Sequence, residues 1–126
     1  MVRQQYHGRH VRGHFHVWDV RALLVLAAEL PVIEYPLAKI NEIDAPYWFD
    51  GFDNQPTCRA VWEHAQLIAQ ADLQWPILLC VEGCVMDGMH RVMKAVGEGR
   101  STIPARQFPI ALPPDLIDPD PKTLTY

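Results

Sequence analysis

The sequence predicts a mixed α/β (α+β) domain, a small mixed sheet flanked by helices, and the stretch from Pro76 to Phe108 carries the prediction. Pro76-Ile77-Leu78-Leu79-Cys80-Val81 is an apolar run long enough for a buried strand and too short for a helix. Glu82-Gly83 supplies a turn, and Cys84-Val85-Met86 returns as a second strand that ends at Asp87-Gly88. From Met89 the period changes. Met89, Val92, Met93 and Val96 recur at the spacing of one helical face, Gly97 and Gly99 stop the helix, and Ile103 to Phe108 reads as a further strand.

A chain of 126 residues, 49% apolar and with four tryptophans, is expected to fold around one modest core. No apolar run approaches the roughly 18 residues of a membrane span, and no signal-peptide pattern is visible, so a cytoplasmic protein is expected. A net charge of −4 argues against a broad DNA-binding face. Three segments are expected: a mobile basic arm over 1–16, a domain over 17–108 and a proline-rich C-terminal extension over 109–126.

The arm holds Arg3, Arg9 and Arg12 with His7, His10, His14 and His16, but no cysteine or carboxylate completes a zinc pattern. It could lie over an anionic ligand or a partner subunit. Asp19 can cap a helix through Leu30, with Val20, Leu23, Leu24, Ala27 and Leu30 inward, and Pro31 ends it. Val32 to Ile40 reads as a strand in which Pro36 demands an edge position or a bulge.

Tyr47-Trp48-Phe49-Asp50-Gly51-Phe52-Asp53-Asn54 packs four aromatics into a turn-rich loop. They either plug the end of the core, the favoured reading, or stack on a planar ligand. Asp50 and Asp53 are metal-ligand candidates or turn formers. Thr57 caps a helix to about Ala71, with Val61, Ala65 and Ile68 expected inward and Arg59, Glu63 and His64 outward. Cys58, Cys80 and Cys84 form no disulfide framework and are expected as reduced thiols. The tail after Phe108 alternates Leu112, Leu116, Ile117 and Leu124 with prolines, which suggests an extended segment lying along the domain.

Chemistry concentrates at Asp87-Gly88-Met89-His90-Arg91. At about 100° per residue, His90, Arg91 and Lys94 cover the side of the helix opposite its apolar face. A helix's first turn has unpaired N–H groups and a partial positive charge, so it attracts anions. Gly88 would let a ligand approach the backbone, Arg91 could fork onto phosphate oxygens and His90 could donate a hydrogen bond. The competing reading makes Asp87 a plain N-cap, with His90 and Arg91 merely solvated.

The string from Pro76 to Ala105, with Val85-Met86-Asp87-Gly88-Met89-His90-Arg91 at its centre and Ile103-Pro104-Ala105 at its end, resembles the ParB N-terminal domain and sulfiredoxin superfamily. Tyr35-Pro36-Leu37-Ala38-Lys39-Ile40 is similar to the strand that opens that fold, and the resemblance covers roughly residues 32–108. It implies a motif helix that holds nucleotide phosphates through Asp87, Gly88, His90, Arg91 and Lys94. It also implies a pocket bordered by the preceding helix, which adds Arg59 and His64. Some members use a carboxylate shortly after the opening strand as general base. Glu42 is the nearest match, although the histidine that precedes it in those members is missing here.

Two departures narrow the inference. The catalytic cysteine of sulfiredoxin lies immediately before the His-Arg pair, where this chain has Met89, and a thioether cannot act as the nucleophilic thiolate. The helix-turn-helix and dimerisation parts of full partition proteins have no counterpart in this sequence. The expectation is therefore a protein that binds a nucleotide or phosphorylated small molecule, ATP or CTP with Mg²⁺ at Asp87. Phosphoryl transfer or hydrolysis would use Glu42 and His90 as catalytic residues. The alternative is a non-catalytic interaction module, with a homodimer or another protein as its partner.

Overall fold

A computed structural model describes residues 6–49, 55–120, 122 and 124. Its elements in chain order are β1 (Tyr6–Val11), β2 (His14–Asp19), α1 (Val20–Ala27), β3 (Ile33–Pro36), α2 (Cys58–Gln70), β4 (Ile77–Leu79), β5 (Val85–Asp87), α3 (Met89–Gly97), β6 (Thr102–Gln107) and β7 (Leu116–Ile117). Single turns of 3-10 helix at Leu37–Lys39 and Asn41–Asp44 follow β3. The expected mixed α+β class is what forms, but with two sheets, ordered β1-β2-β7 and β3-β6-β4-β5.

The four-stranded sheet is mixed. β4 runs parallel to β6 and antiparallel to β5, while β3 pairs antiparallel with β6 at an edge. The apolar run at its centre is explained by burial on both faces. Ile77 and Leu79 face one cluster with Met89, Val92, Ala95 and Ile103, and Leu78 and Cys80 face another with Trp18, Leu23, Ala27 and Phe108. Pro36 sits on the edge strand and ends it, because it has no N–H to continue the ladder. The strand expected to Ile40 therefore stops at Pro36.

Residues 6–16 correct the expectation of a mobile arm. They lie in a hairpin whose two-residue turn puts Arg12 at φ +52° and Gly13 at φ +82°. Positive φ at both central positions matches the strand twist and closes the hairpin tightly. The tail then adds β7 to β2, so the extension runs along the domain as its alternation suggests. Asp115 accepts from Asp19 N at 2.7 Å, Asp118 accepts from Phe15 N at 2.7 Å, and Trp18 Nε1 donates to Leu112 O at 3.2 Å.

Asp19 and Thr57 cap α1 and α2 as expected, each accepting a backbone N–H of the first turn. The inward face of α2 is a second correction. Val61 is 52% exposed and Ala65 is exposed, whereas His64 and Leu67 are partly buried. What α2 meets decides the outcome: its neighbour is α3, whose upper surface is polar, so a histidine turns inward where periodicity favours valine. Val96 of α3 is likewise exposed, and Ala95 takes the buried place.

Gly88 joins β5 to α3 in the left-handed region, at φ +104°. An added Cβ would stand 2.6 Å from Ile77 Cγ2. Gly88→Ala combines backbone strain with a core clash and is expected to destabilise the protein by about 1–3 kcal/mol. Urea denaturation at matched pH measures it, and an unchanged midpoint would contradict this reading of the junction.

Candidate functional site

The motif side chains are placed by Gly88, whose carbonyl accepts the first helical bond of α3, from Val92 N at 3.0 Å. Gly88 itself is the N-cap, and Asp87 lies one residue before it, at the end of β5. Asp87 Oδ2 accepts from Arg91 Nη2 at 2.8 Å, with the two side chains only 11% and 14% exposed. Arg91 Nη1 donates to the carbonyls of Trp75 and Pro76 at 2.9 and 2.7 Å. The guanidinium expected to clamp phosphate thus ties the start of α3 to the segment entering β4.

Lys94 is used in a similar way. Its Nζ donates to Ala69 O at 3.0 Å and Ala71 O at 2.6 Å, satisfying carbonyls at the C-terminal end of α2, where a cation is also favoured by the helix dipole. His90 Nε2 lies 2.8 Å from His64 Nδ1, and Trp48 stacks on both rings at 4.5 and 4.3 Å between centroids. Burial first, then His64 and Arg91, push the His90 pKa down to about 4, and burial lowers that of His64. Both rings are therefore neutral near pH 7, and one N–H serves the contact between them. Trp48 plugs the core end as the favoured reading of the aromatic loop has it, and Tyr47 packs against the same cluster.

Glu42 comes to the same strand from the other side. Its Oε2 accepts from Val85 N at 2.6 Å, and Tyr47 Oη donates to Val85 O at 3.2 Å. Together they satisfy the outer edge of β5, which no strand among the described residues covers. Arg59 stands exposed on α2. The structure therefore gathers Glu42, Asp87, Gly88, His90, Arg91 and Lys94 around β5 and α3, with the last two engaged by protein groups. Asp87 directs one oxygen at Arg91, and no group of three or more His, Cys, Asp or Glu among the described residues could hold a metal ion. Mg²⁺ at Asp87 would share that carboxylate with Arg91. Asp50 and Asp53 lie outside the described residues.

Beside this cluster, hairpin β1–β2 and the segment from Lys39 to Trp48 enclose a cavity of about 800 Å³. His7, Arg9, Lys39, Glu42, Tyr47 and Cys84 are on its wall. His7 is only 5% exposed, and its Nδ1 lies 3.4 Å from Tyr47 Oη. With the phenol hydrogen on Val85 O, Nδ1 must carry the imidazole hydrogen, which leaves Nε2 a bare acceptor. That Nε2 is buried and has no partner, and neither has the buried Nε of Arg9. Burial and then Arg9 push the His7 pKa down to about 4. Arg9 itself lies over the Trp18 ring at 5.2 Å and donates from Nη1 to Cys80 Sγ at 3.6 Å.

His7 and Arg9 were not singled out by the sequence as site residues, because within a basic segment nothing distinguishes a strand's inward positions from solvated ones. The Val11-Arg12-Gly13-His14 turn was the available signal. The chain matches no family model, no curated protein and no solved structure. No helix among the described residues is long and apolar enough to cross a membrane.

Arg91→Ala would remove one partner of the part-buried Asp87 carboxylate and the donor to two carbonyls, so the expected result is a loss of about 1–3 kcal/mol of stability. Chemical denaturation tests it, and a near-neutral effect would return Arg91 to the list of free ligand-binding groups. A second expectation concerns pH. His7 and His90 have folded-state pKa values near 4, below the ordinary 6.5, so the unfolded chain takes up protons that the folded one refuses. The stability contribution is complete above about pH 6.5 and is lost as pH falls towards 4. His90→Gln should flatten that decline relative to wild type in urea midpoints, and identical profiles would refute it.

Proposed function

We propose that the protein binds a phosphorylated small molecule, with a nucleotide such as ATP or CTP the first candidate, in the cavity beside β5. The observation that carries this reading is a cavity lined by His7, Arg9 and Lys39, in which His7 Nε2 and Arg9 Nε lie buried behind the wall without a protein partner. A buried polar group without a partner costs about 1–3 kcal/mol, and a ligand towards which the His7 and Arg9 side chains turn would remove that cost. Arg9 and Lys39 provide positive charge for phosphate. Glu42 and Glu82 suit the hydroxyl or amino groups of a sugar or base. The ParB/sulfiredoxin resemblance supports the same ligand class, although the engaged Arg91 and Lys94 favour the cavity over the outer face of α3.

Isothermal titration with ATP and CTP, with and without Mg²⁺, tests the proposal. Arg9→Ala should weaken binding by the increment of a charged hydrogen bond, about 1.5–3 kcal/mol. Absence of binding by wild type, or equal affinity in Arg9→Ala at preserved fold, would overturn it. If the nucleotide is turned over, Glu42 on the cavity wall is the base, and Glu42→Gln should lower turnover by about 10²-fold with affinity retained.

A second reading, an interaction module, is favoured by one observation. Val61 and Trp62 stand 52% and 61% exposed on α2. Concentration-dependent association abolished by Trp62→Lys would support it.

A further inference from the structure

The turn between β4 and β5 brings two cysteines face to face. Cys80 N donates to Cys84 O and Gly83 N to Cys80 O, both at 2.9 Å, across Val81-Glu82-Gly83. The N–H of Cys84 points at the Cys80 sulfur, 3.2 Å away. Arg9 Nη1 reaches the same sulfur at 3.6 Å from a different sheet. Cys80 is 5% exposed, so these donors converge where little water competes. A thiol accepts hydrogen bonds weakly and a thiolate strongly, so a backbone N–H and a guanidinium aimed at one sulfur form surroundings suited to the anion.

The titration behaviour agrees with the geometry. Burial alone would raise the Cys80 pKa, but the Arg9 contact and then the turn's hydrogen bonds more than offset it, and the net shift is downward. Cys84 goes the other way, pushed up to about 11 by burial and then by the charge on Cys80. The opposite shifts make Cys80 the more readily deprotonated of the two sulfurs. Cys80 and Cys84 flank the turn just outside β4 and β5, and the bond from Cys80 N to Cys84 O at 2.9 Å holds the two residues side by side, as a disulfide requires.

We propose that Cys80 and Cys84 are a peroxide-reactive dithiol that closes to an intramolecular disulfide. In the first step the Cys80 thiolate attacks one oxygen of hydrogen peroxide. The S–O bond forms as the O–O bond breaks, giving Cys80 sulfenic acid and hydroxide. In the second step the Cys84 sulfur attacks the Cys80 sulfur and expels the hydroxyl, which takes the Cys84 proton and leaves as water. The two thiol sulfurs are oxidised by two electrons in total and peroxide is reduced. Two equivalents of an external thiol reverse the change. Cys84 lies on the cavity wall, so oxidation alters that wall whether or not the cavity takes a nucleotide.

The test uses the full chain carrying Cys58→Ser, which removes the exposed third thiol. After exposure to hydrogen peroxide and quenching by an alkylating reagent, mass spectrometry should find a Cys80–Cys84 linked peptide that dithiothreitol reverses. Cys84→Ser in this background should accumulate a dimedone adduct on Cys80, whereas Cys80→Ser should give none on Cys84. Arg9→Gln should slow closure at least about tenfold. Two alkylated, unlinked cysteines after peroxide has oxidised Cys58 in the wild type would overturn the proposal. A dimedone adduct on Cys84 in the Cys80→Ser protein would do so too, independently of how Arg9→Gln folds.

Discussion

The part-buried Arg91 guanidinium makes the interactions on which the arrangement around α3 depends. It joins three points of the chain: the carboxylate at the end of β5, the carbonyls of Trp75 and Pro76 before β4, and its own helix. A desolvated guanidinium is tolerated only where its donors are met, and here a planar fork meets a carboxylate and two carbonyls at once. Gly88 makes this possible by turning the backbone sharply, so that Asp87 and Arg91 stand one helical turn apart on the same side. Lys94 extends the same logic to the end of α2. Residues whose chemistry suits an anionic ligand are thus used to pin helices to a sheet.

That outcome shifts attention from the helix surface to the edge of β5. The edge is covered by Glu42 and Tyr47 in place of a strand, and each brings a polar group to the floor of the cavity. Hairpin β1–β2 supplies the opposite wall and with it the two groups, on His7 and Arg9, that the protein leaves unpartnered. The low dielectric that keeps His7 neutral also makes an unmet donor or acceptor costly.

Trp48, His64 and His90 close the remaining side of α3. Stacking of a large ring on two imidazoles buries apolar surface while one shared hydrogen satisfies the nitrogens that face each other. This explains why α2 turns His64 inward and leaves Val61 and Trp62 exposed. The same packing ties the aromatic loop to the motif helix.

The sequence by itself determined the mixed class, the β4–turn–β5–α3–β6 order, the caps at Asp19 and Thr57 and the restriction of Pro36 to an edge or a bulge. Each of these depends on local chemistry: the length of an apolar run, a side-chain oxygen near free N–H groups, a missing backbone donor. It also singled out Glu42, Asp87, Gly88, His90 and Arg91 as residues of one neighbourhood. Only the tertiary structure decided what those residues do. Whether Arg91 faces solvent or two carbonyls depends on where Trp75 and Pro76 lie, and whether α2 buries Val61 or His64 depends on the surface it meets. The hairpin at residues 6–19 was hidden for a related reason. Its inward residues include a histidine and an arginine, whose burial is acceptable only because Tyr47 and Cys80 arrive from distant parts of the chain to join Trp18 of the hairpin itself. Long-range partners set the worth of a buried polar group, and no local pattern records them.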